Sequence, residues 1–209
     1  NDIRGLLNSL GGHVIKPKLE IKTIQYKDDS NMEKKKTYVL TLSEVFPKAH
    51  NKAGEPTGFK VKFALGQGCP DCDKPQDLSG INISVCNSCV YACSLPKLHT
   101  IRSNYPLWEK RIKEVQEGKA FLSVRQWSGK PYRSKQVEIA RLSVKDGVGV
   151  QLLEFTDSRL RFPYIDDNWA NMATLAQNDG LSLEDWVEWF RGYDLSKPMA
   201  VIHFTKFRY

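Results

Sequence analysis

Four cysteines constrain the fold of this chain more than any other feature of its sequence. They form two Cys-x-x-Cys pairs, Cys69 with Cys72 and Cys86 with Cys89, separated by thirteen residues. Two short turns of this kind bring four thiolates to one tetrahedral zinc ion, with the spacing of zinc knuckles and ribbons. We expect a closed structural zinc site, because a loop this short needs the ion for its folding free energy. Cys93 is an alternative ligand, and a disulfide pair is the competing interpretation.

The composition is that of a globular protein in a reducing compartment. The chain has 209 residues, of which 41% are hydrophobic and 26% are charged, and these values are typical of soluble domains. No apolar run approaches the roughly 20 residues of a transmembrane helix. The first residues also lack the continuous apolar core of a secretory signal. We therefore expect a cytoplasmic protein without a membrane partner, in which cysteines serve as metal ligands or free thiols.

Positive charge is concentrated in residues 97–135. This segment holds ten Lys/Arg and three Glu, a net charge of +7, which equals the formal net charge of the whole chain. A positive field confined to one segment favours an anionic partner, with RNA or a nucleotide as the leading candidate. A solvated basic helix face with scattered surface lysines is the alternative.

The hydrophobic pattern predicts a mixed α+β domain. Strands are expected at 38–42, 120–127, 136–144, 148–155 and 200–204, and helices at 59–65, at 106–118, from 167 and from 183. Asp167 is the expected N-cap of the third helix, with Trp169 on its apolar face. His203, in the apolar closing strand, is expected to be a structural histidine with satisfied hydrogen bonds and not a ligand. This order of elements favours a mainly antiparallel sheet or a small β-barrel with flanking helices.

We divide the chain into an N-terminal extension with its linker, residues 1–36, and a main domain, residues 37–209. The main domain contains residues 68–96, which we call the cysteine insertion. The N-terminal extension is either an addition to this particular chain or an extra strand on the main sheet.

The segment Lys97-Leu98-His99-Thr100-Ile101-Arg102 follows the cysteine insertion and concentrates reactive side chains. As an extended strand it would place alternate residues on opposite faces. As a tight turn it would bring the Lys97 ammonium to the Thr100 hydroxyl, an arrangement that lowers the cost of forming an alkoxide nucleophile. The same groups can bind phosphate or a base edge without chemistry. An ordinary polar entry into a strand is the remaining interpretation.

A second segment interleaves cations with aromatic residues. It contains Arg125, Trp127, Lys130, Tyr132, Arg133 and Lys135. Cationic side chains of this kind bind phosphates, and an exposed aromatic ring stacks on an unpaired base. The alternative is a basic hairpin whose aromatic rings face the core.

Three sequence motifs resemble those of the ASCH domain family. They are Lys97-Leu98-His99-Thr100-Ile101-Arg102 with Gly66 before it, Asn178-Asp179-Gly180-Leu181-Ser182-Leu183-Glu184, and the closing Val201-Ile202-His203-Phe204. The resemblance covers about residues 37–67 and 96–209. It implies a PUA-like β-barrel, with the cysteine insertion at the rim of a cleft. The run Leu-Ser-Val-Arg-Gln-Trp-Ser-Gly-Lys-Pro-Tyr is similar to uncharacterised proteins of phages and mobile elements.

The family resemblance implies a cleft that binds RNA or nucleosides. The binding residues it implies, together with the basic segment, are Lys97, His99, Thr100, Arg102, Arg125, Trp127, Lys130, Tyr132, Arg133, Lys135 and Asn178. One branch of the family resembles an amidohydrolase that removes the acetyl group from N4-acetylcytidine, using a Lys, a Thr three residues later and a Glu before the last helix. Lys97 and Thr100 match the first two, but the Glu falls on Asn178, which cannot act as a general base. Asp179 is the candidate substitute.

From these observations we expect an RNA- or nucleotide-binding module with a structural zinc ion. Enzymatic activity is uncertain and is the less favoured interpretation, because the general base of the family is replaced. The alternatives are an amidohydrolase that uses Lys97, Thr100 and Asp179 on a modified pyrimidine nucleoside, and a mobile-element protein that binds a host protein through the cysteine insertion.

Overall fold

Two β-sheets and four α-helices make up the fold in a computed structural model, which describes residues 35–68, 96–156 and 162–209. In chain order the elements are β1 (Lys36–Thr41), α1 (Phe59–Gly66), β2 (His99–Ser103), α2 (Tyr105–Gln116), β3 (Ala120–Trp127), β4 (Gln136–Leu142), β5 (Gly149–Phe155), β6 (Pro163–Ile165), β7 (Asn168–Trp169), α3 (Met172–Asn178), α4 (Leu183–Phe190) and β8 (Met199–His203). The expected α+β class is confirmed. The predictions for all five cysteines and for the first 34 residues lie outside the described residues.

The smaller sheet has the strand order β1-β3-β4. Strand β1 runs parallel to β3, and β3 pairs with β4 in antiparallel orientation. Leu40, Leu122 and Val124 point into the core, since they are almost completely buried. On the opposite face, Val39 lies beside Ser123. Val39 of the edge strand is 39% exposed, whereas Ser123 is buried. The edge strand β1 is therefore partly open on this face, while the first five residues of the central strand β3 are all buried.

The larger sheet has the order β2-β8-β5-β6-β7, with every neighbouring pair antiparallel. All five residues of β8 are buried, so the closing strand is the centre of the domain. Its apolar sequence, Met-Ala-Val-Ile, suits a strand that is covered on both faces. The described strands hydrogen-bond as two separate sheets and do not close into one barrel.

Helix α2 covers the larger sheet with the apolar stripe predicted from its sequence. Trp108, Ile112 and Val115, at positions i, i+4 and i+7, are buried. Asn104 caps the helix, since its side chain accepts a hydrogen bond from the Leu107 amide at 3.2 Å. Within the described ranges, no helix is long and apolar enough to cross a bilayer.

The predicted start of the third helix is wrong. Helix α3 begins at Met172, and its cap is Asn171, whose Oδ1 accepts from the Thr174 amide at 3.1 Å. Asp167 instead follows Asp166 in the tight turn between β6 and β7, where both residues have positive φ values of 46° and 66°. Two-residue hairpins require positive φ, and Asp tolerates it better than most residues. Trp169 therefore lies in β7 and is 61% exposed.

Gly66 ends α1 directly beneath the chain that leaves the cysteine insertion. A Cβ atom at this position would lie 2.9 Å from the carbonyl carbon of Lys97. That contact involves rigid backbone, so a larger residue would separate α1 from the entry to β2.

We expect Gly66→Ala to lower the free energy of unfolding by about 1–3 kcal/mol, even though alanine is the better helix former. Urea denaturation followed by circular dichroism measures this change. Gly192→Ala is the matched control, because nothing lies within 4 Å of its Cβ position, and its effect should stay within about 0.5 kcal/mol. Equal effects of the two substitutions would contradict the close packing at Gly66.

Candidate functional site

The backbone on either side of Lys97 is held between two helices. The Lys97 amide donates to the Lys62 carbonyl of α1 at 2.8 Å, and the Leu98 amide donates to the Asn178 carbonyl of α3 at 2.7 Å. Lys97 and Asp179 also form an isolated antiparallel bridge. The segment therefore enters β2 in an extended conformation, which is one of the two conformations that the sequence left open.

Lys97 and Asp179 form an ion pair in the protein interior. The Lys97 Nζ contacts the Asp179 carboxylate and also donates to the Asp179 backbone oxygen at 2.6 Å. The ammonium lies 4.1 Å from the ring centroid of Phe59, a cation–π contact. The side chains are only 1% and 6% exposed. The structure thus joins two of the three predicted catalytic residues.

Burial dominates the titration of both partners. Loss of solvation lowers the pKa of Lys97 from 10.5 to about 8, although the attraction of Asp179 opposes the shift. Burial likewise raises the pKa of Asp179, against the attraction of Lys97 and Arg102. A buried lysine with a pKa near neutrality is typical of functional sites, but structural ion pairs show the same shifts.

Two further cations surround this pair. Lys62 Nζ donates to the Gly180 carbonyl at 2.7 Å. Arg102 Nη2 donates to the Thr41 carbonyl of β1 at 2.7 Å. Arg102 thereby connects the larger sheet to the edge of the smaller one. Both cations are bound to backbone oxygens, which limits their availability to an external anion.

The other residues of the Lys97–Arg102 segment also lie inside the protein. Thr100 is 2% exposed and His99 is fully buried. His99 Nε2 lies 2.8 Å from the Tyr209 hydroxyl, which also accepts from Asn178 Nδ2 at 3.1 Å. Burial lowers the pKa of His203, the strand partner of His99, to about 3. Burial also lowers the pKa of His99, so both histidines are neutral at physiological pH. The expectation that the ring of His203 is hydrogen-bonded is wrong, since neither of its nitrogens has a partner among the described residues.

Arg125, the cation at the base of the β3–β4 hairpin, contacts other side chains of the sheet. Arg125 Nε donates to the Ser123 hydroxyl at 2.8 Å, and its guanidinium lies 3.8 Å from the Glu138 carboxylate. Arg125 is half-buried. This residue was predicted to bind an anion, but the sheet already supplies its partners.

The tip of this hairpin, residues 128–135, presents its side chains to solvent. Lys130, Arg133 and Lys135 are exposed, and none of them forms an ion pair with a described residue. Tyr132 is 90% exposed and has a φ of 62°, a conformation that bulky residues rarely adopt. Its ring lies 5.3 Å from that of the half-buried Trp127. The sequence left open whether the aromatic rings face the core or the solvent, and the ring of Tyr132 faces the solvent.

The predicted site residues thus differ in exposure. Those in or next to β2 and at the end of α3 are buried, except for the half-buried Arg102. At the hairpin, Arg125 and Trp127 are half-buried, and the residues of the tip are exposed.

No sequence pattern predicted Phe59 above the Lys97 ammonium or the contacts of Tyr209 with His99 and Asn178. These contacts join residues more than 30 positions apart, so only the fold brings them together.

No family model matches this chain, and no curated protein or solved structure is significantly similar to it.

We expect Asp179→Asn to lower the free energy of unfolding by about 3–5 kcal/mol near neutral pH, because it leaves a buried ammonium without its partner. Urea denaturation measures the loss. Asp194→Asn is the control, since Asp194 pairs with Lys197 at the surface and its loss should cost less than about 1 kcal/mol.

The pH dependence gives a second test of the same pair. The pKa of Lys97 is about 8 in the folded protein and 10.5 in the free side chain. Between these two pH values the unfolded chain binds more protons than the folded one, so the free energy of unfolding rises with pH. Asp179→Asn lowers the folded pKa of Lys97 further, so the variant begins to gain stability at a lower pH. The difference in free energy of unfolding between the wild type and the variant should decrease as the pH rises to about 8, and should stay constant above that pH. A difference that increases as the pH rises to about 8 would contradict the buried pair.

Proposed function

We propose that the chain is a binding module for single-stranded RNA or nucleotides, and that the tip of the β3–β4 hairpin is its contact surface. The proposal rests on one observation. An aromatic ring, that of Tyr132, is held almost fully in solvent among three cations without an ion-pair partner in the described residues.

The chemistry of the tip favours an unpaired strand. Every base presents a π-face that an exposed ring can stack on, and this contact does not depend on base identity. The free ammonium and guanidinium groups of Lys130, Arg133 and Lys135 can replace the counterions of the phosphates. The bases of a duplex are stacked on one another and leave no face for Tyr132.

The remaining features of the proposal come from the sequence. They are a PUA-like arrangement of the two sheets, a cytoplasmic location, and a structural zinc ion held by Cys69, Cys72, Cys86 and Cys89, with Cys93 as an alternative. The ASCH-like motifs and the Cys-x-x-Cys spacing support them. The cysteine insertion ends next to Lys97, so a zinc site there would be tied to the interior by the Lys97–Asp179 pair. Binding of a host protein through this insertion stays an alternative prediction.

We expect Tyr132→Ala to weaken binding of a labelled single-stranded RNA by about fivefold to a hundredfold, the usual cost of losing one base stack. Lys130→Ala combined with Arg133→Ala should weaken it as well and reduce the salt dependence, by about 0.7 in the log–log slope for each lost phosphate contact. Fluorescence anisotropy at a series of salt concentrations measures both quantities.

The matched control is Lys48→Ala combined with Lys60→Ala, which removes the same charge from exposed positions elsewhere. If the control weakened RNA binding as much as the hairpin variant, the net charge of the chain would explain the affinity and the hairpin proposal would be wrong.

The Lys97–Asp179 contact supports a second candidate function. An amidohydrolase needs a nucleophile, a cation and a base. Lys97 and Asp179, which are in contact beside the strand that carries Thr100, would be the cation and the base. In this reaction water would cleave the N4–acetyl bond of N4-acetylcytidine and give cytidine and acetate. The burial of all three residues makes this the weaker candidate.

We expect an amidohydrolase to release acetate from N4-acetylcytidine, to lose this activity in Thr100→Ala, and to retain part of it in Thr100→Ser, which keeps the hydroxyl. Chromatography of the nucleosides measures the conversion. Conversion that is equal in the wild type and Thr100→Ala, or absent from both, would remove the catalytic assignment and leave the hairpin proposal intact.

A further inference from the structure

A cavity of about 180 Å³ opens between the β6–β7 hairpin, the start of α3 and Tyr209. It lies on the larger sheet, apart from the elements that carry the basic hairpin. The volume is below the roughly 300–1,000 Å³ of sites for drug-sized ligands, so the cavity suits a single ring. None of its lining residues is charged. An anionic ligand would lose its hydration there without gaining a counter-charge, so the cavity favours a neutral one.

Two aromatic residues line this cavity. Trp169 is 61% exposed, and an indole ring in solvent is an unused stacking surface. The ring of Tyr209 is fixed by its hydroxyl, which is hydrogen-bonded to Asn178 and contacts His99. A ring entering the cavity would therefore meet a wall that is already ordered, which reduces the entropy cost of binding.

Two asparagines of the lining have amide donors and an amide acceptor that are not used within the described residues. Asn168 Nδ2 donates to the Asp166 carbonyl at 2.9 Å, which leaves its Oδ1 as an acceptor. Asn171 Oδ1 accepts from the Thr174 amide at 3.1 Å, which leaves its Nδ2 as a donor. These bonds identify which amide atom is oxygen and which is nitrogen. Neither free atom is bonded to another residue in the part of the chain that the structure describes.

We infer that this cavity is a binding site for a neutral planar heterocycle with adjacent hydrogen-bond donor and acceptor groups. Its face stacks on Trp169, and its edge pairs with Asn168 and Asn171. Nucleobases have this combination of a π-face and a donor–acceptor edge. The site goes beyond the hairpin proposal and does not depend on it, because it uses no charged residue and lies on the other sheet.

Uridine is a suitable probe, since its ring is uncharged and carries an N–H donor beside a carbonyl acceptor. The chain has five tryptophans, whose indole N–H resonances can be followed separately by NMR, and the Trp169 signal is identified by its disappearance in Trp169→Leu. Titration with uridine should shift the Trp169 resonance to saturation, and this shift should persist in Tyr132→Ala, which removes the stacking ring of the hairpin. A uridine tetranucleotide titrated against Tyr132→Ala combined with Lys130→Ala and Arg133→Ala forms a second arm, and tighter binding at Trp169 than uridine would identify a strand as the source of the base.

Ligand-detected saturation transfer supplies the variant test. In a Tyr132→Ala background, which removes the stacking ring of the hairpin, the uridine signal should be lost in Trp169→Leu and kept in Phe162→Leu, which removes a comparably exposed aromatic residue outside the cavity. Circular dichroism confirms that both variants are folded. The derivative 3-methyluridine, whose donor is blocked, should bind at least tenfold more weakly. No saturable shift at Trp169, or equal binding of the two nucleosides, would overturn the inference. Loss of RNA binding by the hairpin variants would not affect either outcome.

Discussion

The buried ion pair between Lys97 and Asp179 connects the parts of this fold. Lys97 stands where the cysteine insertion enters β2, and Asp179 follows the last residue of α3. The pair therefore ties an edge of the larger sheet to the junction of the last two helices, with Phe59 of α1 packed over the ammonium. Burying two charges costs free energy that their attraction only partly offsets. The arrangement thus depends on the backbone hydrogen bonds that hold both residues in register.

The cations of the chain differ in whether they have internal partners. Those next to β2 do, because Lys97, Lys62 and Arg102 each bind a backbone or carboxylate oxygen. Cations at the tip of the β3–β4 hairpin have no such partner among the described residues. The single basic segment of the sequence is therefore divided in the fold. Its cations next to β2 have internal partners, whereas those of the hairpin tip, together with Lys110 and Lys113 on α2, are exposed and can neutralise an external anion.

Much of the fold followed from local patterns. The stripe of α2 and the bounds of β3 were predictable because each depends on residues close together in the sequence. The start of α3 was predicted wrongly, since Asp is favoured both as a helix cap and in a tight turn. The pairing of strand β6 with strand β7 makes Asp167 a turn residue and not a helix cap.

The sequence by itself determined the fold class, the order of most elements, the positive charge of residues 97–135, and Lys97 and Asp179 as residues of interest. It could not determine which side chains would be exposed, because Thr100 and Tyr132 are equally polar in the sequence but lie inside and outside the protein. Only the tertiary structure paired Lys97 with Asp179 and formed an open cavity lined by Trp169 and Tyr209. Both depend on residues that are at least 40 positions apart in the chain, and local hydrophobic patterns carry no information over such distances.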